Sequence, residues 1–250
     1  MATFDQLRVA VRMAASRLAA QAPDLGAGKP KGKAYEVWVM LEIAKELRRI
    51  GLSVDLVNHD STPAQRLRIR GSPGMMPSTK SSVGNAPGHL VIKGRRTCEL
   101  HLGLQHGSSQ FGHHEIDISL LPATQASDLR EAGGGYYDGA PLLALELKAY
   151  DRKHKLDQSV ARALVGVIAH LQPFWSVGFA LFAARAGRWS RAWSRDDRPV
   201  RAGIVTTTTL YDNSLALLSA FQALSFTSVE PGVVGDAFER LGREIKDVTG

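Results

Sequence analysis

The chain has 250 residues, of which 44% are hydrophobic and 22% are charged, a composition typical of folded globular proteins rather than disordered, collagenous or disulfide-rich ones. Its longest apolar stretch, near residues 175–184, is about half of the roughly 20 residues that a transmembrane helix needs, and its single cysteine, Cys98, excludes an internal disulfide and predicts a cytoplasmic location. Lys and Arg outnumber Asp and Glu by 31 to 24, which favours a polyanionic partner such as nucleic acid.

The N-terminal third of the chain predicts two helices joined by a linker. Residues 3–21 alternate apolar residues with arginines, which is typical of an amphipathic helix and not of a secretory signal. Residues 22–33 hold glycine, proline and lysine and predict the linker, and residues 34–50 predict a second helix that Gly51 ends. Residues 60–88 are rich in serine, glycine and proline, and they predict a long irregular connection.

Strands and three further helices are predicted after this connection. Apolar alternation predicts strands at residues 52–57, 89–94, 97–107, 113–121, 141–150, 177–185 and 201–209. A glycine-rich insert occupies residues 122–140, and helices are predicted at residues 155–171, 213–224 and 234–247. No linker after residue 34 separates two halves. The sequence therefore predicts one α/β domain over residues 1–250, with an N-terminal helix and linker (1–33), a core (34–185) and C-terminal strands and helices (186–250).

Two of the predicted strands carry charge on one face only. In HHEIDISLL, residues 113–121, alternation places on one face Ile116, Ile118 and Leu120. Asp117 lies on the other face. In LLALELKAY, residues 142–150, Glu146 and Lys148 share the face opposite the leucines. If the two strands are neighbours, Asp117 and Glu146 converge and Lys148 lies one pleat further along.

Such a pair of carboxylates has a specific chemistry. Two carboxylates at short range repel each other, and a hard divalent cation such as Mg²⁺ relieves the repulsion while keeping waters and phosphate oxygens as its other ligands. A nearby ammonium group can hold or deprotonate an attacking water, or stabilise the charge that develops on a phosphoryl group.

A third carboxylate is predicted on the second helix. Glu36 shares a helical stripe with Met40, Ile43 and Leu47, so it lies at the start of an apolar face. A carboxylate on a buried stripe is costly unless it is paired or bound to a metal ion. The alternative is that Glu36 only interacts with the dipole at the helix N-terminus.

The order of these features resembles the PD-(D/E)xK nuclease superfamily. The helix with Glu36, the strand with Asp117, the strand with Glu146-Leu147-Lys148 and the helix at 155–171 follow one another as they do in that family, over roughly residues 34–185. The resemblance implies a restriction-endonuclease-like αβββαβ core, in which helices flank a mixed central sheet. It also implies Mg²⁺-dependent cleavage of nucleic acid, usually DNA, with Mn²⁺ as a possible substitute for Mg²⁺.

The resemblance also implies roles for individual residues. Asp117 and Glu146 match the metal-binding acids, and Lys148 matches the catalytic lysine. Glu36 matches the helix acid that many members add to the metal site, and Gln158 resembles a glutamine that some branches place near it. Family members act in restriction or anti-phage defence, so a homodimer or a partner protein of a defence system is expected, and no membrane partner.

A second set of residues is predicted to contact nucleic acid. The segment at residues 185–201 is rich in arginine and tryptophan, which can neutralise phosphates and stack on bases. Its candidate contacts are Arg188, Trp189, Arg191 and Arg195; the alternative is a solvated basic turn. Further phosphate-binding candidates are Lys31, Lys33, Arg66, Arg68 and Arg70.

Other sites and functions stay open at this stage. His113, Glu115 and Asp117 share a strand face, which allows a zinc or manganese site instead, and His101 lies on a neighbouring predicted strand. Two alternative functions are a nucleic-acid-binding or assembly subunit that has a nuclease-like fold without activity, and an RNA-directed nuclease.

Overall fold

The computed structural model describes residues 2–249 except 19, 22–24, 26–30, 71–73, 85, 109–111, 151–153 and 172–199. The described helices are α1 (Phe4–Arg17), α2 (Lys31–Arg49), α3 (Ala123–Glu131), α4 (Gln158–Leu171), α5 (Asp212–Ala220) and α6 (Ala237–Thr249). The described strands are β1 (Ser53–Val57), β2 (His89–Lys93), β3 (Thr97–Ser108), β4 (Gly112–Pro122), β5 (Leu143–Lys148), β6 (Arg201–Thr206) and β7 (Leu224–Phe226). None of the helices within these ranges is long and apolar enough to cross a bilayer.

The seven strands form one mixed sheet whose spatial order follows the order along the chain. Strands β1 to β5 pair antiparallel with their neighbours, whereas β6 pairs parallel to β5 and β7 pairs parallel to β6. A parallel pair needs a crossover connection, and α5 follows β6 before β7 as the crossover rule expects. The predicted α/β class, with a mixed sheet flanked by helices, is confirmed.

Helices cover both faces of the sheet and create two main cores. On one face α2 packs against sheet residues such as Leu100, Ile118 and Leu145, with α1 and α6 beside it. On the other face α4 and α5 pack against Ala144 and Ile204. Helix α2 is buried almost all round because it lies between the sheet and α1, and an apolar sequence such as VWVML suits that position.

Several predicted elements differ from the observed ones by a few residues or more. Helix α2 begins at Lys31, so residues 31–33 are helical and not part of a linker; Lys33 is buried and pairs with Glu36 one turn on, which stabilises this first turn. The insert at 122–140 contains α3, which is held by its packing on the sheet rather than by a strong local pattern.

The last difference lies near the C-terminus. The helix predicted at 213–224 ends at Ala220, Gln222 adopts a left-handed φ of 52°, and β7 begins at Leu224. A left-handed residue ends a helix because its backbone cannot continue the right-handed spiral. The strand predicted at 177–185 lies outside the described residues.

Candidate active site

Asp117 and Glu146 lie where two paired strands separate. The described β4–β5 register ends at the pair Ile118–Leu145, and the two acids are each one residue beyond it. Asp117 is 9% exposed, and its Oδ2 accepts a hydrogen bond of 2.7 Å from the backbone N–H of Leu147. In the opening between β4 and β5, the Asp117 carboxylate therefore takes the place of a backbone carbonyl as the acceptor for the Leu147 N–H. This hydrogen bond fixes the position of the carboxylate beside Glu146.

A local break in β4 sets the direction of the Asp117 side chain. In the β3–β4 register, Gly103 and Asp117 do not form a paired position, and Gly103 has a left-handed φ of 57°. Ile116 packs in the core beneath α4, whereas Ile118 and Leu120 pack in the core beneath α2. The prediction that these three residues share one face is therefore wrong. Alternation assumes an uninterrupted strand, and the break moves Ile116 to the opposite face from Ile118 and Leu120.

Helix α2 brings Glu36 to the same place. Glu36 is 12% exposed at its side chain and forms an ion pair with Lys33, which is also buried. Burial, and next to it the charge of Asp117, raise the pKa of Glu36 to about 7. Since a neighbouring charge shifts a pKa only at short range, Glu36 and Asp117 belong to one electrostatic cluster.

Strand β5 contributes the remaining acid and the lysine. Glu146 and Lys148 are both 27% exposed at their side chains and form an ion pair, as two residues on one face of a strand can. Burial raises the pKa of both Asp117 and Glu146, and the charge of Asp117 raises the pKa of Glu146 further. The charge of Lys148 lowers the pKa of each acid and so offsets part of this rise. The structure thus brings together all four residues that sequence reasoning singled out: Glu36, Asp117, Glu146 and Lys148.

Two more charged residues complete the cluster, and sequence reasoning did not assign them to it. Burial and the charge of Asp117 raise the pKa of Glu115, and Lys33 lowers it. A methyl group built on Gly103 would lie 3.4 Å from Nζ of Lys33 and 3.7 Å from Oε1 of Glu115, so these side chains approach each other over this glycine. The signals were available in principle, because Lys33 is one helical turn before Glu36 and Glu115 is two residues before Asp117.

The acid cluster, defined as Glu36, Glu115, Asp117, Glu146, Lys33 and Lys148, has an excess of negative charge. Four carboxylates face two ammonium groups, and burial makes the remaining repulsion costly. A divalent cation would remove it. The ligand atoms that the cluster offers are carboxylate oxygens, which are the ligands that Mg²⁺ and Mn²⁺ prefer.

Two further candidates, His113 and Gln158, are not members of the acid cluster. His113 stacks on Tyr136 with ring centroids 3.6 Å apart, and Gln158 is the first residue of α4. Arg188, Trp189, Arg191 and Arg195 lie outside the described residues.

A second buried group could also hold a metal ion. Donor atoms of His89, Glu99 and His101 lie within 4.8 Å of one another, and the kind of ion is not determined by this set. Burial lowers the pKa of His101 to about 4, so its ring is neutral at neutral pH. Arg130 donates to both oxygens of Glu99, at 2.7 and 2.5 Å. Sequence reasoning noted that His101 shares a strand face with Glu99, but it missed His89 and Arg130; Arg130 belongs to a helix that it did not predict.

Comparison of the chain with family models, with curated proteins and with solved structures found no match.

Proposed function

We propose that the protein is a Mg²⁺-dependent endonuclease that hydrolyses phosphodiester bonds in DNA. The observation that carries the proposal is the meeting of carboxylates from α2, β4 and β5 with the Lys148 ammonium in one partly buried cluster. The order of elements supports it as well. Helix α2, the antiparallel strands β3, β4 and β5, helix α4 and the parallel strand β6 occur in the αβββαβ order of a restriction-endonuclease-like core, with β1 and β2 added after α2 and α3 added between β4 and β5.

In this proposal Asp117 and Glu146 hold the metal ion, and Glu36 is its third protein ligand or orients a water bound to it. The oxygen-only donor set fits Mg²⁺, with Mn²⁺ as a substitute. When bound, the ion would act as a Lewis acid that polarises a phosphoryl oxygen and offsets the negative charge of the transition state. The Leu147 N–H keeps the Asp117 carboxylate turned towards the opening between the strands.

The lysine and the helix acid act on water and protons. The Lys148 ammonium, part exposed beside Glu146, donates a hydrogen bond to the attacking water or to a phosphoryl oxygen. Where Glu36 does not bind the ion, it would accept the proton of that water; burial and the charge of Asp117 raise its pKa to about 7 in the metal-free cluster. The water oxygen then forms a bond to phosphorus, the bond from phosphorus to one sugar oxygen breaks, and that oxygen leaves with a proton from solvent.

The formal charge of +7 supports a nucleic acid as the substrate, because the negative excess of the acid cluster leaves the rest of the chain still more basic. The four contacts predicted between residues 188 and 195 stay predictions, as do a homodimer, a partner protein and a role in restriction or anti-phage defence.

The proposal is tested with supercoiled plasmid, labelled duplex DNA, single-stranded DNA and RNA, each incubated with Mg²⁺, Mn²⁺ or EDTA. We expect wild-type protein to cut duplex DNA with either ion and not with EDTA. Lys148→Met should reduce the cleavage rate by about 100-fold or more. Lys93→Met is the matched control, because Lys93 also lies at the end of a strand and pairs with an acid, Asp55, at 2.8 Å, but is 58% exposed and is not a member of the acid cluster.

Other outcomes separate the alternatives. Cleavage of RNA alone would replace the proposal with an RNA-directed nuclease that uses the same chemistry. If wild type and Lys148→Met bind nucleic acid equally and neither cuts with Mg²⁺ or Mn²⁺, the protein is a binding or assembly subunit and the proposal is wrong.

A further inference from the structure

Two buried histidines beside β3, His59 and His89, have ring nitrogens without an aligned hydrogen-bond partner among the described residues. His59 and His89 are each 1% exposed. Both ring nitrogens of His59 and Nε2 of His89 have no hydrogen-bond partner among the described residues. Nε2 of His89 lies 3.3 Å from Oε2 of Glu99, but the two are not aligned for a hydrogen bond. Buried polar atoms of this kind usually indicate a bound water or ion, because leaving them unpaired is costly.

These histidines help to line one small cavity. The cavity has a volume of about 10 Å³, and His59, His89, His101 and Arg130 contribute to its lining. That volume is enough for one water molecule or one ion, and for nothing larger. His59 does not belong to the group of three donors described above, so it is an independent indication that something binds there.

We propose that His89, Glu99 and His101 form a structural site for one divalent transition-metal ion of the Zn²⁺ type, and that His59, which lines the adjoining cavity with His89 and His101, moves in as the fourth ligand when the ion binds. Imidazole nitrogens together with one carboxylate are a donor set that Zn²⁺ accepts and that Mg²⁺ does not favour. Ligand atoms about 2.0–2.1 Å from a tetrahedral zinc ion are roughly 3.3 Å apart. Oε2 of Glu99 lies 2.9 Å from Nε2 of His101 and 3.3 Å from that of His89, which is close to this spacing.

The surroundings of the site indicate a structural role rather than a catalytic one. All four donor residues are buried, so no position is open to a substrate, and closed sites are typical of structural zinc. Arg130 donates to both oxygens of Glu99, including the Oε2 that faces the two histidines, and so fixes the orientation of this carboxylate, as groups around metal ligands do.

The position of the donors suggests what the ion stabilises. His59 follows β1 and His89 begins β2, so they lie at the two ends of the irregular segment 60–88. Glu99 and His101 lie on β3, next to β2 in the sheet. One ion would hold both ends of this long segment against the sheet. Cross-links that close long loops stabilise the fold because they reduce the entropy of the unfolded chain.

The experiment measures bound metal and thermal unfolding, and it does not depend on nuclease activity. Full-length protein is freed of metal with a chelator and then supplied with one equivalent of Zn²⁺, or with Mg²⁺ for comparison. We expect one zinc per chain by elemental analysis and a rise in Tm of about 5 °C at saturating Zn²⁺. Co²⁺ in place of Zn²⁺ should give the visible absorption of a tetrahedral site.

Substitutions identify the ligands. His59→Asn and His89→Asn should each weaken Zn²⁺ binding by about tenfold or more, whereas His154→Asn, at an exposed histidine, should bind as wild type does. The proposal is overturned if wild type takes up no zinc and unfolds at the same temperature with and without it, in which case the cavity holds only a water. It is also overturned if both variants bind zinc as tightly as wild type, and the cobalt spectrum of wild type decides the matter if a variant does not fold.

Discussion

At the scale of single residues, Glu36 carries the largest electrostatic strain in the acid cluster. Its carboxylate is buried on α2 and faces the charge of Asp117, while Lys33 offers only partial compensation. A carboxylate whose pKa is raised in the folded state binds a proton more tightly there than in the unfolded chain. Protonated Glu36 therefore costs the folded state nothing below about pH 4.5, and its ionisation at higher pH destabilises the folded state.

The sign of this effect predicts how Glu36→Gln changes stability. As pH rises from about 4.5 to about 7, ionisation of Glu36 lowers the free energy of unfolding of wild type, and the full cost is present above that range. Metal-free Glu36→Gln should be more stable than wild type by about 1–3 kcal/mol at pH 8, and close to wild type at pH 5. Urea unfolding at both pH values, in EDTA, measures the difference.

A matched carboxylate on the same helix serves as the control. Glu42 also pairs with a lysine three residues away, Lys45, but lies outside the acid cluster. Glu42→Gln should show no gain that appears only at high pH. A Glu36→Gln protein that is less stable than wild type at pH 8 would contradict the placement of Glu36 among like charges.

At the scale of elements, the left-handed glycine in β3 connects the fold to the site. Gly103 interrupts the β3–β4 ladder opposite Asp117, and Lys33 and Glu115 approach each other across it. A side chain there would meet both an unfavourable backbone conformation and the Lys33 ammonium. The strand break is therefore part of how the acid cluster is built, and a regular strand would leave Asp117 in a different environment.

Substitution of this glycine separates backbone strain from a general effect of adding a methyl group. Gly103→Ala should lower the free energy of unfolding by about 1–2 kcal/mol, because a residue with a β-carbon resists a φ of 57°. Gly166→Ala, at an exposed position in α4 with open space around it, should instead raise stability by about 0.5–1 kcal/mol. Chemical denaturation of both proteins tests this, and an equal effect of the two substitutions would show that Gly103 has no special role.

At the scale of the whole molecule, the sequence predicts the sheet better than it predicts the site. Alternation located the strands from β1 to β6, and the strand positions of Asp117 and Glu146 followed from it. The helix stripe located Glu36. These features could be predicted because each depends on a local period in the chain.

The features that were missed depend on contacts between distant segments. Lys33 is helical because its side chain enters the acid cluster, α3 is held by packing against the sheet, and the break at Gly103 reverses the faces of β4. His59 and His89 are far apart along an irregular segment, so no spacing rule suggests that they line one cavity. Tertiary packing overrides local pattern at each of these places.

The central claim is that Asp117 and Glu146 bind a divalent ion, and binding of Mn²⁺ measured by electron paramagnetic resonance tests it most directly. This measurement needs no knowledge of the nucleic-acid sequence that the protein recognises. We predict that wild type and Glu42→Gln bind Mn²⁺, and that Asp117→Asn and Glu146→Gln bind it at least about tenfold more weakly because each removes a charged ligand. The claim would be contradicted if solutions of wild type and of Asp117→Asn gave the same signal of free Mn²⁺ at the same total Mn²⁺ concentration.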